Sequence, residues 1–189
     1  VVDGHEIRLV KLIGLHQRMI YFTADTHFGH VGILKHQPHR RFATIEDMDA
    51  HLIDSINRVV GRNELWILGD FAWNKCGHYR MRIKAKQVHI VTGNHDKPSL
   101  RKCVSSMRDM VYRKFDGQKF HLTHYPMIAW RTREHGSIHL YGHCHGAMEK
   151  KLNALYPGRR AMDVGIDNSY FLTGEFRPFS LDEILERLT

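Results

Sequence analysis

Apolar runs recur along the chain at residues 20–24, 65–68, 88–91 and 138–141, each four or five residues long, partly β-branched and ending at a polar cluster. Runs of that length and composition predict buried strands. Between the first two, Ile45, Met48, Leu52, Ile53, Ile56 and Val59 recur at helical spacing. Thr44 and Asp47 are placed to cap this segment and Gly61 to stop it, so residues 44–60 predict an amphipathic helix. Asp116-Gly117, between strand-like residues 111–115 and 119–123, is a hairpin signal. Ser180 and Glu183 have capping-box spacing at the head of a closing helix over 180–188. Strands alternating with helices, followed by a hairpin, predict a layered α/β fold with a mixed sheet.

The first eighteen residues show no clear period, and Met19 opens the first strand-like run. Residues 1–18 therefore read as an N-terminal extension that need not be native, with Met19 the suspected natural start and 19–189 a single domain. No internal repeat or Pro/Gly/Ser-rich linker marks a second one. With 189 residues and 42% hydrophobic content, the chain can bury a core without disulfide help. No run approaches eighteen apolar residues, so a soluble protein is expected, with no membrane partner. Cys76, Cys103 and Cys144 form no C-x-x-C pair, which argues against a disulfide framework or a thiolate zinc cage and for a reducing, cytoplasmic setting.

The polar clusters that end the runs carry the chemistry. Asp25-Thr26-His27 follows the first, Gly69-Asp70 the second, Gly93-Asn94-His95-Asp96 the third and Gly142-His143-Cys144-His145 the fourth, while His124 follows the hairpin. Loops at the carboxyl ends of strands in an open α/β sheet converge on one crevice, so these blocks can share a site. Mixed carboxylate and imidazole donors suit Mn, Fe or Zn; an all-oxygen set would suit Mg or Ca. In D-x-H and H-x-H, the two residues can face one way on an extended strand end or splay toward different metals at a turn. Spacing leaves both geometries open. Gly69, Gly93 and Gly142 precede ligands where the backbone must turn sharply or approach an ion.

Together the blocks resemble the signature of the calcineurin-like metallophosphoesterase superfamily, D-x-H, G-D, G-N-H-[DE], H and G-H-x-H, with none missing. The resemblance implies a four-layer α-β-β-α sandwich with two mixed sheets, in a small, cap-less member. It implies two divalent metal ions, manganese foremost, with iron, zinc or nickel as alternatives. Asp25, His27 and His145 would hold one metal, Asn94, His124 and His143 the other, and Asp70 would bridge them. It implies a phosphoesterase that hydrolyses a phosphodiester or small phosphate ester by in-line attack of a metal-bridging hydroxide. Catalytic roles fall to His95, which would stabilise or protonate the leaving oxygen, and to Asp96, which would orient the His95 ring. Phosphatase subfamilies that place an arginine shortly after the bridging aspartate are disfavoured, because Asp70 leads into Phe71-Ala72-Trp73-Asn74.

Substrate contacts are assigned to Asn94, His30, Arg40 and Arg41. His30 follows the first ligands, with a solvated loop histidine as the alternative. Arginine suits bidentate phosphate recognition, while a basic run such as His36, His39, Arg40 and Arg41 also reads as a solvated face. Trp73 and Trp130 follow Asp70 and His124 closely enough to stack on a base or to pack the core. Cys144 is expected to pack, and Asp163 or Asp167 to support the histidines from behind or to serve turns. A net charge of +8 draws anions, so the expected partner is a phosphorylated substrate, a nucleotide or nucleic-acid end, with the oligomeric state open. The rival readings are a phosphomonoesterase, a non-catalytic scaffold and a nucleic-acid-binding module.

Overall fold

A computed structural model of the protein describes residues 19–188. The expectation for residues 1–18 lies outside the described residues. In chain order the elements are β1 (Ile20–Thr23), α1 (Ile33–His36), α2 (Ile45–Val60), β2 (Glu64–Ile67), α3 (Cys76–Arg82), β3 (Gln87–Val91), β4 (Ser106–Arg108), β5 (Val111–Phe115), β6 (Gln118–Leu122), β7 (Ile138–Tyr141), α4 (Glu149–Leu155), β8 (Ala161–Asp163), α5 (Ile166–Thr173), β9 (Phe179–Ser180) and α6 (Leu181–Leu188).

Local chemistry sets the ends of the elements that the pattern foretold. Thr44 caps α2 by accepting the Asp47 backbone N–H, and Gly61 ends it at φ 56°. Asp116 and Gly117, at φ 45° and 81°, turn the β5–β6 hairpin with the positive-φ pair that matches strand twist. Ser180 and Glu183 cap α6 reciprocally: Glu183 N–H donates to Ser180 Oγ, and Ser180 N–H to Glu183 Oε2. Sequence reading did not delimit β4, β8, β9, α1, α3, α4 or α5. The strands among them are only two or three residues long, too short to show a period.

Two mixed sheets result, ordered β4-β3-β2-β1-β9 and β5-β6-β7-β8. In the first, β1, β2, β3 and β4 run parallel and β9 antiparallel; in the second, only β5 is antiparallel to its neighbour. Alternation along the strands separates two main cores. Tyr21, Leu65, Ile67, Val88 and Ile90 meet Met48, Leu52, Ile53 and Ile56 of α2. Phe22, Trp66, Leu68 and Val91 meet Phe120, Leu122, Ile138, Leu140 and Met162 between the sheets. Beyond the second sheet, Tyr141 and Ala161 pack with Trp130 and with Leu152 of α4. The layers are helix, sheet, sheet, helix, the four-layer α-β-β-α sandwich expected. Both faces of each sheet are covered, which is why the parallel strands read as continuous apolar runs rather than alternating ones. Among the described residues no helix is long and apolar enough to cross a membrane.

Candidate metal centre

Parallel β1, β2 and β3 end on the same edge of the first sheet, and β6 and β7 end beside one another in the second. The loops that leave them are stitched together. Asp25 N–H donates to the Gly69 carbonyl, His27 N–H to Asp70, Phe28 N–H to Phe71 and Gly142 N–H to His124, at 2.9 to 3.0 Å. Asp96 closes the bundle, its carboxylate accepting the backbone N–H groups of Asp70, Phe71 and Gly93. The loops approach so closely that a Cβ on Gly93 would lie 2.3 Å from Asp70 Oδ1. One on Gly142 would lie 2.5 Å from Ala24 Cβ and 2.7 Å from Asp25 Oδ2. Gly93 and Gly142 are required by loop-to-loop contact, where sequence had offered a sharp turn or close approach to an ion.

The side chains reach one crevice because the backbone twists under them. Asp25, His27, Asp70, His143 and His145 all have φ between 50° and 69°. Left-handed backbone is costly for residues with a Cβ, and such strain concentrates at functional sites. Two clusters result, Asp25 with His27 and His145, and Asp70 with His124 and His143; within each, the candidate ligand atoms lie within 4.8 Å of one another. The D-x-H pair thus serves one cluster, whereas His143 and His145 divide between the two. Asp70 stands between them, its Oδ2 3.6 Å from His27 Nε2 and 3.5 Å from His124 Nε2. Asn94 borders the second cluster, with Oδ1 3.1 Å from His124 Nε2.

Residues around the clusters aim the rings. His124 Nδ1 lies 2.7 Å from the Leu68 carbonyl, and His145 Nδ1 2.6 Å from Asp167 Oδ2. In each case Nδ1 carries a proton, so Nε2 is the nitrogen that can present a lone pair to a metal, as a ligand histidine needs. Asp25 Oδ2 accepts the His143 backbone N–H. Asp25 Oδ1 and His27 Nε2 are buried and, among the described residues, have no hydrogen-bond partner. Buried polar atoms are rarely left so, and a cation between them would satisfy both. The donor set fits divalent metals.

Electrostatics agrees with that fit. Burial pushes the Asp25 carboxyl well up, and Asp163, Asp70 and Asp167 add to the effect. Burial lowers His27 to about 2, so its ring is neutral. For Asp70, burial acts upward, but hydrogen bonding and charge from His124 outweigh it and bring the carboxyl down to about 2. Burial of Asp167 likewise acts upward and is overcome by Arg40, which together with His145 and His39 holds it well below the carboxylate range. So many buried acids in one corner call for positive charge.

Several sequence assignments are relocated. Arg40, expected at the phosphate, is 2% exposed. Its guanidinium binds both oxygens of Asp167 and the carbonyls of Asp25 and Thr26, behind the clusters. It is held there by the buried counter-charge of Asp167. Arg41 is exposed. Asp96, expected to orient the His95 ring, instead has its oxygens engaged by backbone amides. His95 is partly exposed, with Nε2 4.0 Å from Asp70 Oδ2, and its backbone N–H donates to Asp70 Oδ1. His30 stacks on Trp73 at 4.2 Å and places Nδ1 3.4 Å from His27 Nδ1. Trp73 is 41% exposed and also faces His95. Trp130 is core, its indole N–H held by Ser137. Cys144 is half-buried outside both clusters. Asp163 accepts the Gly146 and Gly165 N–H groups and serves the turns, whereas Asp167 supports His145.

Three contributors were not assigned to the support of the ligands by sequence, His39 having been read only as part of the basic run. His39 Nε2 lies 2.6 Å from Asp167 Oδ1. Asp49 accepts the Gly29 N–H and the Tyr79 hydroxyl, tying α2 to the first ligand loop. Tyr125 donates its hydroxyl to Asn94 Oδ1. Only Tyr125 had a local signal, its position next to His124.

Residues 19–174 match the model of the calcineurin-like phosphoesterase superfamily domain. The chain is 27% identical over 186 residues to the Gene 66 protein of Mycobacterium phage L5, covering 78% of this chain and 86% of that protein. It is 26% identical to the Gene 66 protein of Mycobacterium phage D29, over 78% of this chain and 87% of that protein. A crystal structure of a protein of unknown function from Aquifex aeolicus shares the fold, with a TM-score of 0.69 and 22% identity over 89% of this chain and 98% of that one.

Proposed function

Because the chain belongs to the calcineurin-like phosphoesterase superfamily, we propose that it is a two-metal phosphodiesterase acting on a nucleotide or nucleic-acid end. The observation that carries the reading is Asp70, whose Oδ2 faces His27 of one cluster and His124 of the other at 3.6 and 3.5 Å. Asp25, His27 and His145 would hold one divalent ion, Asn94, His124 and His143 a second, with Asp70 shared. When bound, such ions supply Lewis acidity that makes water a competent nucleophile at neutral pH and offsets charge on phosphate oxygens. Manganese is the first choice for imidazole and carboxylate donors, ahead of iron, zinc or nickel.

The chain's own groups do the rest. Asp167 and the Leu68 carbonyl keep His145 and His124 in the tautomer that presents Nε2. Asp96 holds the Asp70 and Asn94 loops at fixed spacing through backbone amides. His95, partly exposed beside Asp70, would hold a proton at Nε2 and pass it to the departing oxygen. The diester preference follows from charge: a diester carries one negative charge and needs less cationic help than a monoester dianion. Arg40 is committed to Asp167, and the side chains flanking His95 include the aromatic rings of His30 and Trp73.

The test is hydrolysis of bis-p-nitrophenyl phosphate beside p-nitrophenyl phosphate by metal-stripped protein resupplied with Mn, with Asp70→Asn as control. Diester turnover that needs metal and vanishes in the variant supports the proposal. Monoester preference would replace it with a phosphomonoesterase, and metal binding without turnover of either ester would leave a specialised substrate or a non-catalytic scaffold.

A further inference from the structure

A pocket of about 380 Å³ opens beside the second cluster, lined by Thr92, Asn94, Asp109, Met110, Tyr125 and Met127 among others, with His124 also in its wall. It is continuous with the candidate metal centre, since Asn94 and His124 belong to both. Tyr125 forms the junction: its ring lies 5.0 Å from His124 and 4.5 Å from His143, and its hydroxyl reaches Asn94. Tyr125 and Met110 are nevertheless 49% and 53% exposed. Together they present accessible apolar surface where the pocket meets the candidate metal centre.

We propose that this pocket receives the nucleobase of the substrate, a deepening that rests on the phosphoesterase reading above. The volume lies within the small-ligand range. Tyrosine and methionine surfaces suit a flat aromatic ring, which stacks on the one and packs against the polarisable sulfur of the other. Asp109 contributes an exposed carboxylate to the wall. That charge repels a second phosphate and accepts hydrogen bonds from ring N–H or exocyclic amino groups, so the occupant is a neutral, donor-bearing group. Thr92 also lines the wall, with its hydroxyl buried just behind the surface and, among the described residues, without a hydrogen-bond partner. With its phosphate at the metal centre, a nucleotide would thus lay its base toward Met110 and Met127, away from Trp73 and His30, which pack against His95 and do not line the pocket.

The experiment is calorimetric titration of the Mn-supplemented protein with adenosine 5′-monophosphate and with ribose 5-phosphate, which differ only in the base. Adenosine 5′-monophosphate is expected to bind at least about tenfold more tightly, the scale of one base stack. Met110→Ala with Met127→Ala, which keep the Tyr125 stacking surface, should lower that ratio by about threefold, and Met110→Ala alone, at an exposed position, by less. Trp73→Ala should leave the ratio intact. Equal affinities in the unchanged protein, or a ratio lost in Trp73→Ala and kept in the methionine variants, would overturn the assignment. Turnover of bis-p-nitrophenyl phosphate, which has no base, is read in parallel. Failure there with the ratio intact would count against the phosphoesterase reading and not against the pocket.

Discussion

His145 and Asp167 meet at 2.6 Å, Nδ1 to Oδ2, so the His145 ring can offer only Nε2 to the cluster it shares with Asp25 and His27. The same carboxylate carries Arg40, and both side chains of that ion pair are fully buried. One aspartate therefore orients a candidate ligand and neutralises a buried guanidinium at once.

Replacing Asp167 by Asn should weaken divalent-metal affinity by roughly 10–100-fold, the usual effect of removing a partner that orients a ligand histidine. It should also destabilise the fold by about 3–5 kcal/mol, because Arg40 is left as a buried charge without its counter-ion. Chelator competition reads the first effect and denaturant unfolding of metal-free protein the second. Unchanged metal affinity would remove His145 from the ligand set.

His95→Ala should lower kcat by roughly 10²–10⁴-fold, the typical contribution of a positioned acid, with metal content unchanged. The loss should be larger for a diester with an alkoxide leaving group than for one releasing p-nitrophenolate, which needs little protonation. Equal losses for the two esters would argue for phosphate binding by His95 instead of proton donation.

Gly93→Ala places a Cβ 2.3 Å from Asp70 Oδ1 and 2.4 Å from Asp70 N. Backbone must shift, so a cost of about 1–3 kcal/mol is expected, together with loss of metal affinity because Asp70 is what moves. Gly117→Ala is the contrast. Gly117 has φ 81° but open space around it, so that variant should lose about 1 kcal/mol and keep its metal affinity. Metal titration of the two variants separates contact from conformational strain.

Ser180→Ala removes half of the reciprocal cap on α6. The expected cost is about 1 kcal/mol with turnover unaffected, measured by thermal unfolding beside an ester assay. A change in turnover would mean that α6 communicates with the loops at the strand ends.

Much of this protein is legible in one dimension because the relevant information is local. The β1, β2, β3 and β7 runs are apolar on both faces, so they stand out without neighbours to interpret them. The α2 helix carries its own cap, stop and period, and Asp116-Gly117 names its own turn. The seven candidate ligands were readable for a related reason: each directly follows a strand or hairpin, and ligand chemistry restricts the residue types allowed there.

What only the tertiary structure decided is how those residues divide and what surrounds them. Sequence left D-x-H and H-x-H free to converge or splay; left-handed backbone at Asp25, His27, His143 and His145 converges the first pair and splits the second. Nothing in the linear order distinguishes Arg40 from Arg41, yet one lies fully buried against Asp167, more than a hundred residues away, and the other faces solvent. The role of Asp96 was equally unreadable, and sequence could not choose which of Asp163 and Asp167 would support a histidine, because a carboxylate binds whichever amides, imidazoles or guanidinium the fold brings within reach. Sequence determined which chemistry the chain carries, since residue type is intrinsic to a position. The fold decided which neighbours each group would meet, since hydrogen bonds and ion pairs depend on distances that arise only when remote segments pack.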